Sequence, residues 1–372
     1  MKPKIVIDCI SLLSSLTGIG RYTYEVSKEI EKDNLFEMEY FYGTYSNTLI
    51  HPSTGTNLKN LKSILSKFSI LKNLIRELLF ISSRLFASRY ELYWQPNFIP
   101  HRGVKANKTI TTVHDFSFIV YKEFHTPETV KYFDKYFFRN IYKSDMIITG
   151  SEYTKQEILQ RTEFTEDKIR VIYHGINHNL FRVYNNRELD FDLPDKFILS
   201  VGSIEPRKNL IGLLKAYISL DKKIKKEYKL ILIGSKGWEN REIITLIENN
   251  REEVKYLGFI SDKELAKVYN RASCFAYPSF YEGFGLPVLE AMACGTPVVC
   301  SNASSLPEVG QDGVVYCNPN SIEEIRDRIE SVLGDETLQK KMIKRGLEIA
   351  KEFSWEKSAR KHMELFQEVL NS

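Results

Sequence analysis

The chain has 372 residues, which exceeds the usual size of one hydrophobic core and favours two domains. Apolar residues make up 43% of it, as in globular proteins, and a net charge of +4 is too small at this length to indicate a nucleic-acid partner. The five cysteines form no Cys-X-X-Cys pair and have no zinc-like spacing to a histidine, so we expect reduced core thiols in a cytoplasmic protein.

The amino-terminal half alternates short apolar runs with helical patterns, which favours α/β units around a parallel sheet. Its first run is too short for a signal peptide and predicts a strand at residues 4–7. Further strands are predicted at residues 109–113, 146–149 and 169–173. No stretch of about 18 uncharged apolar residues occurs, so we expect no membrane-spanning helix.

A Gly-X-Gly pattern, Gly18 and Gly20, follows the first predicted strand and opens a helix. Glycines in such a turn let the backbone approach a phosphate or an acceptor, although a plain tight turn gives the same pattern. Thr23 stands where the dinucleotide-binding motif Gly-X-Gly-X-X-Gly needs its third glycine, which argues against a nicotinamide-dependent oxidoreductase.

Residues 57–89 carry seven basic residues against one acid, Glu77. At about 100° per residue their apolar side chains fall on one arc, and most of the bases lie opposite. Two interpretations remain open. The helix either packs its apolar face on the first sheet or lies on an anionic membrane surface, where a lipid-linked acceptor would be found.

His114 and Asp115 directly follow the strand predicted at residues 109–113. Side chains at this end of a strand can point into a cleft between two domains. A lone histidine there is otherwise a common structural residue, and Asp115 is a candidate for orienting its neighbour.

The polar segment 184–195 marks a domain boundary. Its Asp-X-Asp string, Asp190 to Asp192, lies in this linker, where we expect solvated side chains and no metal site. Beyond it, alternating strands and helices predict a second parallel sheet, with strands at residues 197–201, 229–233, 274–277 and 297–300.

Two cations, Arg207 and Lys208, come just after the strand at residues 197–201, where loops of parallel sheets place ligand contacts. Arginine binds phosphate oxygens in a bidentate manner, while lysine acts as a point charge. A solvated charge pair would have the same sequence.

Glu282 and Glu290 stand eight positions apart across a turn that contains Gly283 and Gly285. The glycines can take positive φ, and a proline soon after them predicts a helix over residues 286–293. The start of that helix favours a phosphate, and carboxylates accept hydrogen bonds from vicinal hydroxyls. A nucleotide sugar would use every part of this arrangement, although a glycine-rich turn with one capping Glu would look alike.

The run at residues 279–291 resembles the Glu-X7-Glu signature of retaining glycosyltransferases of the GT-B fold, family 4 (glycosyl transferases group 1). Residues 292–299 and 306–309 resemble the stretch that follows this signature. Residues 199–210 resemble the opening of the donor-binding domain, in the form found in the mannosyltransferase-like branch. The likeness covers most of residues 150–355 and is fainter in the amino-terminal half.

This resemblance implies an α/β fold of the GT-B type, with two Rossmann-like, doubly wound domains facing a cleft. Residues 1–183 would bind the acceptor, 184–195 would form the linker, and 196–355 would bind the nucleotide-sugar donor. The helix at residues 356–372 either crosses back onto the first domain, as in similar proteins, or ends the second one.

The implied activity is retaining, metal-independent transfer of a hexose, with no cofactor. The donor we favour is GDP-mannose, with UDP-sugars as the alternative. The acceptor would be a glycan or a lipid-linked oligosaccharide in cell-surface polysaccharide synthesis. The protein would be cytoplasmic, with a peripheral position at the inner face of the membrane as the further option. A non-catalytic GT-B partner subunit is a further alternative, which the presence of both acids and both cations argues against.

The resemblance also assigns roles to individual residues. Arg207 and Lys208 would face the diphosphate, Glu282 and the backbone after it the donor sugar, and Glu290 the ribose. The predicted catalytic residues are Glu282, His114, Arg207 and Lys208. The predicted donor-binding residues are Glu290, Gly283, Phe284, Gly285, Leu286, Gly258, Phe259 and Ser203, where Gly258 and Phe259 would lie at the nucleobase. The predicted cleft or acceptor loop contains Gly18, Gly20 and Asp115.

Overall fold

The protein is described by a computed structural model that covers residues 2–13, 17–51, 89–235, 237 and 241–372. Apart from Arg89, the segment 57–89 lies outside these residues, so neither interpretation of it is tested. Within the described ranges, no helix combines the length and apolar character that crossing a bilayer requires.

The first domain is built on a seven-stranded sheet. Its strands are β1 (Lys4–Asp8), β2 (Glu37–Phe41), β3 (Tyr45–Ser46), β4 (Tyr90–Gln95), β5 (Ala106–Val113), β6 (Met146–Thr149) and β7 (Ile169–Val171). Their order is β3-β2-β1-β4-β5-β6-β7, and the described pairs are parallel except for β3 against β2. In register, Ile5 lies between Met38 and Leu92. Strand β1 pairs with β2 on one side and with β4 on the other, so the strand order reverses direction at β1. A crevice therefore forms beside its carboxyl end.

The described helices of this domain are α1 (Gly18–Asp33), α2 (Ser117–Val120), α3 (Pro127–Ile141) and α4 (Glu152–Arg161). Thr17 caps α1 by accepting a hydrogen bond from the Gly20 N–H, and Asn34 ends the helix in a left-handed conformation with φ 52°. The pattern therefore opens a helix, as predicted, but Gly18 and Gly20 are residues of its first turn and do not form a separate glycine turn. A threonine supplies the cap instead.

The second domain contains a six-stranded sheet. Its strands are β8 (Phe197–Val201), β9 (Lys229–Ile233), β10 (Val254–Tyr256), β11 (Cys274–Tyr277), β12 (Val298–Ser301) and β13 (Val315–Cys317). All described pairs are parallel, in the order β10-β9-β8-β11-β12-β13. This is the doubly wound Rossmann order, with its crevice where β8 and β11 end. The predicted fold class is thereby confirmed.

The helices of the second half flank this sheet, except the last. They are α5 (Leu210–Ile218), α6 (Lys222–Glu227), α7 (Arg241–Asn249), α8 (Asp262–Arg271), α9 (Leu286–Ala293), α10 (Leu306–Gly310), α11 (Ile322–Gly334), α12 (Glu336–Ala350) and α13 (Trp355–Asn371). Helix α9 has the predicted bounds, because Gly285 precedes it with φ 107° and a proline occupies its first turn.

Helix α13 lies on the first domain. Its apolar face, including Trp355 and Phe366, shares a buried core with Ile5, Tyr22 and Trp94 of the first sheet and α1. Ser354 caps the helix by accepting a hydrogen bond from the Lys357 N–H. The two domains are thus connected both by the segment 184–195, which contains no strand or helix, and by α13.

Candidate active site

Glu282 lies at the centre of a buried ionic cluster beyond the ends of β8 and β11. One carboxylate oxygen, Oε2, accepts a hydrogen bond from Arg207 Nη1 at 2.8 Å, and the other, Oε1, accepts one from Lys208 Nζ at 2.7 Å. Arg207 also donates through Nη2 to Glu205 at 2.9 Å. The structure therefore brings together the three charged residues that the sequence singled out here, and it adds Glu205.

These contacts determine the charge on Glu282. Burial by itself raises the pKa of this carboxyl, but the positive charges of Arg207 and Lys208 outweigh it and lower the pKa to about 2. Glu282 is therefore ionised at neutral pH. It can accept hydrogen bonds or stabilise a positive charge, but it has no proton to donate.

Tyr277 is a member of the cluster that the sequence did not reveal. Its hydroxyl donates to Glu282 Oε1 at 2.9 Å and accepts a hydrogen bond from Lys208 Nζ at 2.6 Å. The ring is fully buried at the end of β11. Nothing in its sequence position separates it from an ordinary core tyrosine, because only the fold brings Lys208 beside it.

The two glycines after Glu282 serve different purposes. Gly285 takes φ 107°, as expected, but Gly283 does not adopt positive φ. It is required by close approach instead, because a Cβ placed on it would lie 2.2 Å from the carbonyl oxygen of His114 in the other domain. Ser151 of the first domain also donates to the Gly283 carbonyl at 3.0 Å. Only glycine lets the two domains meet here.

The first turns of α1 and α9 meet across the cleft. A Cβ placed on Gly18, the first residue of α1, would lie 4.0 Å from Leu286 Cδ1, which belongs to the first residue of α9. The start of each helix carries partial positive charge, although Thr17 already accepts the Gly20 N–H in α1 and Gly285 accepts the Val288 N–H in α9. Two such ends from two domains form a favourable environment for an anion.

Glu290 lies in the second turn of α9 and is buried. Tyr269 donates to its Oε2 at 3.3 Å. Burial raises the pKa of Glu290 to about 7, which Arg21 opposes and Asp262 reinforces. Arg21 of α1 and Asp262 of α8 form an ion pair of 2.7 Å between the domains. This carboxyl is therefore close to half-protonated at neutral pH.

The predicted nucleobase loop lies between β10 and α8. Gly258 has φ 72°, and a Cβ placed on it would meet no atom within 4 Å, so this side of the loop is open. Phe259 is 64% exposed. Ser203, after β8, accepts a hydrogen bond from Ser235 at 3.4 Å. Among the described residues, neither Phe259 nor Ser203 forms a hydrogen bond with the ionic cluster.

Comparisons with known proteins identify the family of the chain. The family model "Glycosyl transferases group 1" matches residues 184–348, and "Glycosyltransferase Family 4" matches residues 16–180. O-antigen chain mannosyltransferase B of Escherichia coli is 36% identical over 375 residues, covering 95% of this chain and 96% of that protein. The chain belongs to glycosyltransferase family 4.

Solved structures are similar to this glycosyltransferase in fold. Sucrose-phosphate synthase from Thermosynechococcus elongatus has a TM-score of 0.73 at 20% identity, with 100% of both chains covered. Anabaena HepE, in complex with UDP and glucose, has a TM-score of 0.69 at 16% identity, covering 98% of this chain and 100% of that one. Identities this low support the fold alone.

His114 of the glycosyltransferase lies in the cleft wall of the first domain. Its Nε2 lies 2.7 Å from the carbonyl oxygen of Pro96, and because a carbonyl only accepts, Nε2 carries the proton. Burial lowers the pKa of His114, so the ring is neutral at pH 7. Its edge contacts with Tyr22 and Phe98, at 5.2 and 5.4 Å between ring centroids, fix the ring.

Asp115 is oriented by the residue that starts α2. Its Oδ1 accepts hydrogen bonds from Ser117 N at 2.9 Å and Ser117 Oγ at 2.7 Å. The side chain is therefore held by Ser117, and His114 is held by Pro96. Asp115 was expected to orient His114, but no hydrogen bond joins the two in the described structure.

Tyr281 ties the glycosyltransferase's two domains together beside Glu282. Its hydroxyl accepts a hydrogen bond from the Phe116 N–H at 2.9 Å and donates to Glu157 Oε2. Nearby, Glu308 of α10 accepts hydrogen bonds from the N–H groups of Glu152 and Tyr153 at the start of α4, at 2.8 and 2.7 Å. The sequence could not reveal these pairs, because their members lie more than a hundred positions apart.

The described ranges contain no group of three His, Cys, Asp or Glu side chains placed to share a metal ion. The charges around Glu282 are instead balanced by arginine and lysine.

Proposed function

We propose that this glycosyltransferase moves a hexose from a nucleoside-diphosphate sugar to a glycan or lipid-linked oligosaccharide, with retention of the anomeric configuration and without a metal or cofactor. The observation that carries the proposal is the buried cluster of Glu282 with Arg207 and Lys208 at 2.8 and 2.7 Å. It supplies two cations to a diphosphate and one anion to the sugar at the same place.

The two cations would hold the leaving group. Breaking the bond between sugar and phosphate places negative charge on the diphosphate, and fixed positive groups in a buried site stabilise that charge most strongly in the transition state. Arg207 and Lys208 are already ordered by Glu282, which supports this role. The first turns of α1 and α9 would add backbone N–H groups to the same anion.

The two acids would recognise different parts of the donor. Glu282, ionised and buried, would accept hydrogen bonds from hydroxyls of the transferred sugar together with the backbone from Gly283 to Leu286. Glu290 would accept those of the ribose, and the open loop at Gly258 and Phe259 would receive the nucleobase.

The transfer step would take place on one face of the sugar. The acceptor hydroxyl would attack the anomeric carbon from the side on which the diphosphate departs, and a phosphate oxygen would take the hydroxyl proton as the carbon–oxygen bond to phosphate breaks. Glu282 would stabilise the positive charge that develops on the sugar. Neutral His114, fixed by Pro96, would contact the sugar from the first domain.

GDP-mannose is the donor we favour. Support comes from residues 203–209, which resemble mannosyltransferases, and from the relative named O-antigen chain mannosyltransferase B, which matches almost the whole chain. A UDP-sugar is the alternative.

Ligand-induced stabilisation tests the donor. A tight ligand stabilises the folded state by about 2.7 kcal/mol at a hundred times its Kd, which is measurable as a rise in Tm. We expect GDP-mannose to raise the Tm of the parent protein and not that of Lys208→Met. Lys340→Met, which changes a lysine that is 79% exposed, is the matched control and should respond like the parent. Stabilisation by UDP-sugars alone would contradict the choice of donor.

Membrane contact through residues 57–89 stays a prediction. Sedimentation with anionic liposomes at low salt tests it, since a basic amphipathic helix binds such surfaces electrostatically. Failure of the protein to sediment would support the alternative, a helix packed on the first sheet.

A further inference from the structure

Three aromatic side chains from both domains form a continuous wall beside the ionic cluster. The rings of Tyr121 and Phe124 are parallel within 2°, with centroids 5.0 Å apart. Phe124 stacks in turn on Phe280 of the second domain at 5.9 Å and 25°. The backbone N–H of Phe280 donates to the Arg207 carbonyl at 3.0 Å, which places this end of the wall next to the cluster. We call these three residues the aromatic wall.

All three rings are only partly buried, so they keep surface for a ligand. They also belong to no hydrophobic core cluster of the described residues. Because Phe280 comes from the other domain, the wall is complete only when the cleft is closed, as it is here with Tyr281 bonded to Phe116.

A chain of hydrogen bonds runs beside the wall. Ser117 Oγ donates to Asp115 Oδ1 at 2.7 Å, so its lone pair accepts from the Nε2–H of His125 at 2.9 Å. The Nδ1 atom of the neutral ring is then an acceptor, and it makes no hydrogen bond to the described residues. Burial lowers the pKa of His125, which keeps the ring neutral, and Arg207 and Glu205 are close enough to influence it.

We propose that the aromatic wall and His125 form the subsite for the acceptor sugar, a pyranose whose hydroxyl receives the hexose. This proposal rests on the proposed function. A pyranose presents an apolar C–H face, which suits partly buried aromatic rings, and a rim of hydroxyls, which suits an acceptor nitrogen such as His125 Nδ1. The Phe280 N–H bonds to the Arg207 carbonyl, and Arg207 is close enough to influence His125, so a sugar held there would lie beside the arginine that we assign to the diphosphate.

Pure interdomain packing is the competing explanation of the wall. It predicts that loss of a ring changes stability and leaves acceptor binding unchanged. Phe124→Leu and Phe280→Leu distinguish the two explanations, because leucine keeps most of the apolar volume and removes the flat face. Phe124→Tyr keeps the ring and should behave like the parent.

The control is Tyr142→Leu. Tyr142 is 45% exposed, stacks on Phe164 at 5.5 Å, and follows the end of α3 opposite to His125. The substitution removes a partly exposed, stacked ring from the same domain, about 20 Å from His125 along the helix.

The probes are octyl α-mannopyranoside and octyl β-glucopyranoside, added to full-length protein saturated with GDP. Binding is measured by saturation-transfer NMR and titration. We expect at least one pyranoside to bind the parent, Tyr142→Leu and Phe124→Tyr alike, and to bind both leucine variants of the wall roughly tenfold more weakly. No pyranoside binding to the parent, or equal binding by the leucine variants, would overturn the proposal.

The rise in Tm caused by the donor distinguishes a failure of the acceptor subsite from a failure of the proposed function. If GDP-mannose and UDP-sugars all fail to raise the Tm of the parent, the function is wrong. If donor stabilisation is intact in every variant and pyranoside binding does not depend on the wall, only the acceptor subsite is wrong.

Discussion

Glu282 and Glu290 stand eight positions apart and lie in opposite electrostatic surroundings. The pKa of Glu282 is lowered to about 2, because Arg207 and Lys208 outweigh the effect of burial, whereas burial raises the pKa of Glu290 to about 7. The first acid is permanently charged, and the second changes charge near neutral pH. This difference leads to distinct predictions for the two acids.

Glu282→Gln should keep the fold and lose most of the turnover. The amide preserves the shape of the side chain but removes the charge that orders both cations, and loss of one preorganised electrostatic contact lowers kcat on the order of 10²- to 10³-fold. Hexose transfer from GDP-mannose, with circular dichroism as the check on folding, measures this. Glu364→Gln, an exposed position on α13, is the control. Near-normal turnover would remove Glu282 from the mechanism.

Glu290 should make nucleotide affinity depend on pH. The ribose hydroxyls bind the ionised carboxylate best, so the affinity for GDP should rise as pH increases through about 7 and then level off. Glu290→Gln should bind roughly 10- to 100-fold more weakly above pH 7, as expected for a lost hydrogen bond to a charged group, and without that pH dependence. Calorimetric titrations between pH 6 and pH 8, in roughly half-unit steps, test this. Parallel pH profiles in the two proteins would contradict it.

Glu290 should also make the free energy of unfolding fall as pH rises. Its pKa is raised from 4.5 to about 7 on folding, so its contribution to the free energy of unfolding is greatest below pH 4.5 and is lost as pH rises to about 7. The loss amounts to about 3 kcal/mol. Urea unfolding of the parent should show this decline relative to Glu290→Gln. An equal slope in both proteins would show that Glu290 does not titrate in this range.

Tyr277→Phe tests the positioning of Glu282. The phenyl ring keeps the packing, and the variant loses the hydrogen bonds to Glu282 and Lys208 at 2.9 and 2.6 Å. We expect kcat to fall roughly tenfold with a smaller change in the KM for the donor, because one hydrogen bond to a charged group is worth about 1.5 kcal/mol or more. A residue that only fills the core would alter Tm and leave kcat unchanged.

Phe366→Ala tests the attachment of α13 to the first domain. Phe366 is fully buried in the core shared by α13 and the first sheet, and Phe→Ala changes in cores cost about 3–5 kcal/mol. Chemical denaturation should show a loss of that size. Glu364→Ala, on the exposed face of the same helix, should be close to neutral. Equal stability of the two variants would mean that α13 does not depend on this contact.

The sequence predicted the parts of the fold that carry a strong local signal. Strand β6 and helix α9 have the predicted bounds, since an apolar run and a Gly-X-Pro boundary mark them. Strands β2 and β4 were not predicted, because their glutamates and tyrosines interrupt the apolar pattern. Their pairing with β1 gives them their place in the sheet.

The sequence likewise predicted only part of the candidate site. Charged residues in the family motifs were identified and come together in the structure, as Glu282 and Lys208 do. Tyr277 and the ion pair of Arg21 with Asp262 were missed, because each depends on a partner that only the tertiary structure brings near. The same limit applies to two glycines: Gly18 opens a helix as predicted but takes the helical conformation, and Gly283 is required by contact between the domains and not by a positive φ.

The anomeric configuration of the first product decides whether transfer proceeds with retention at Glu282. Real-time NMR with GDP-α-mannose labelled with carbon-13 at C1 observes the hexose as it is transferred or released. Retention at a site built on Glu282 predicts α-mannose product from the parent protein and almost none from Glu282→Gln. A β product would contradict retention, and an α product formed equally fast by the variant would contradict the role of Glu282.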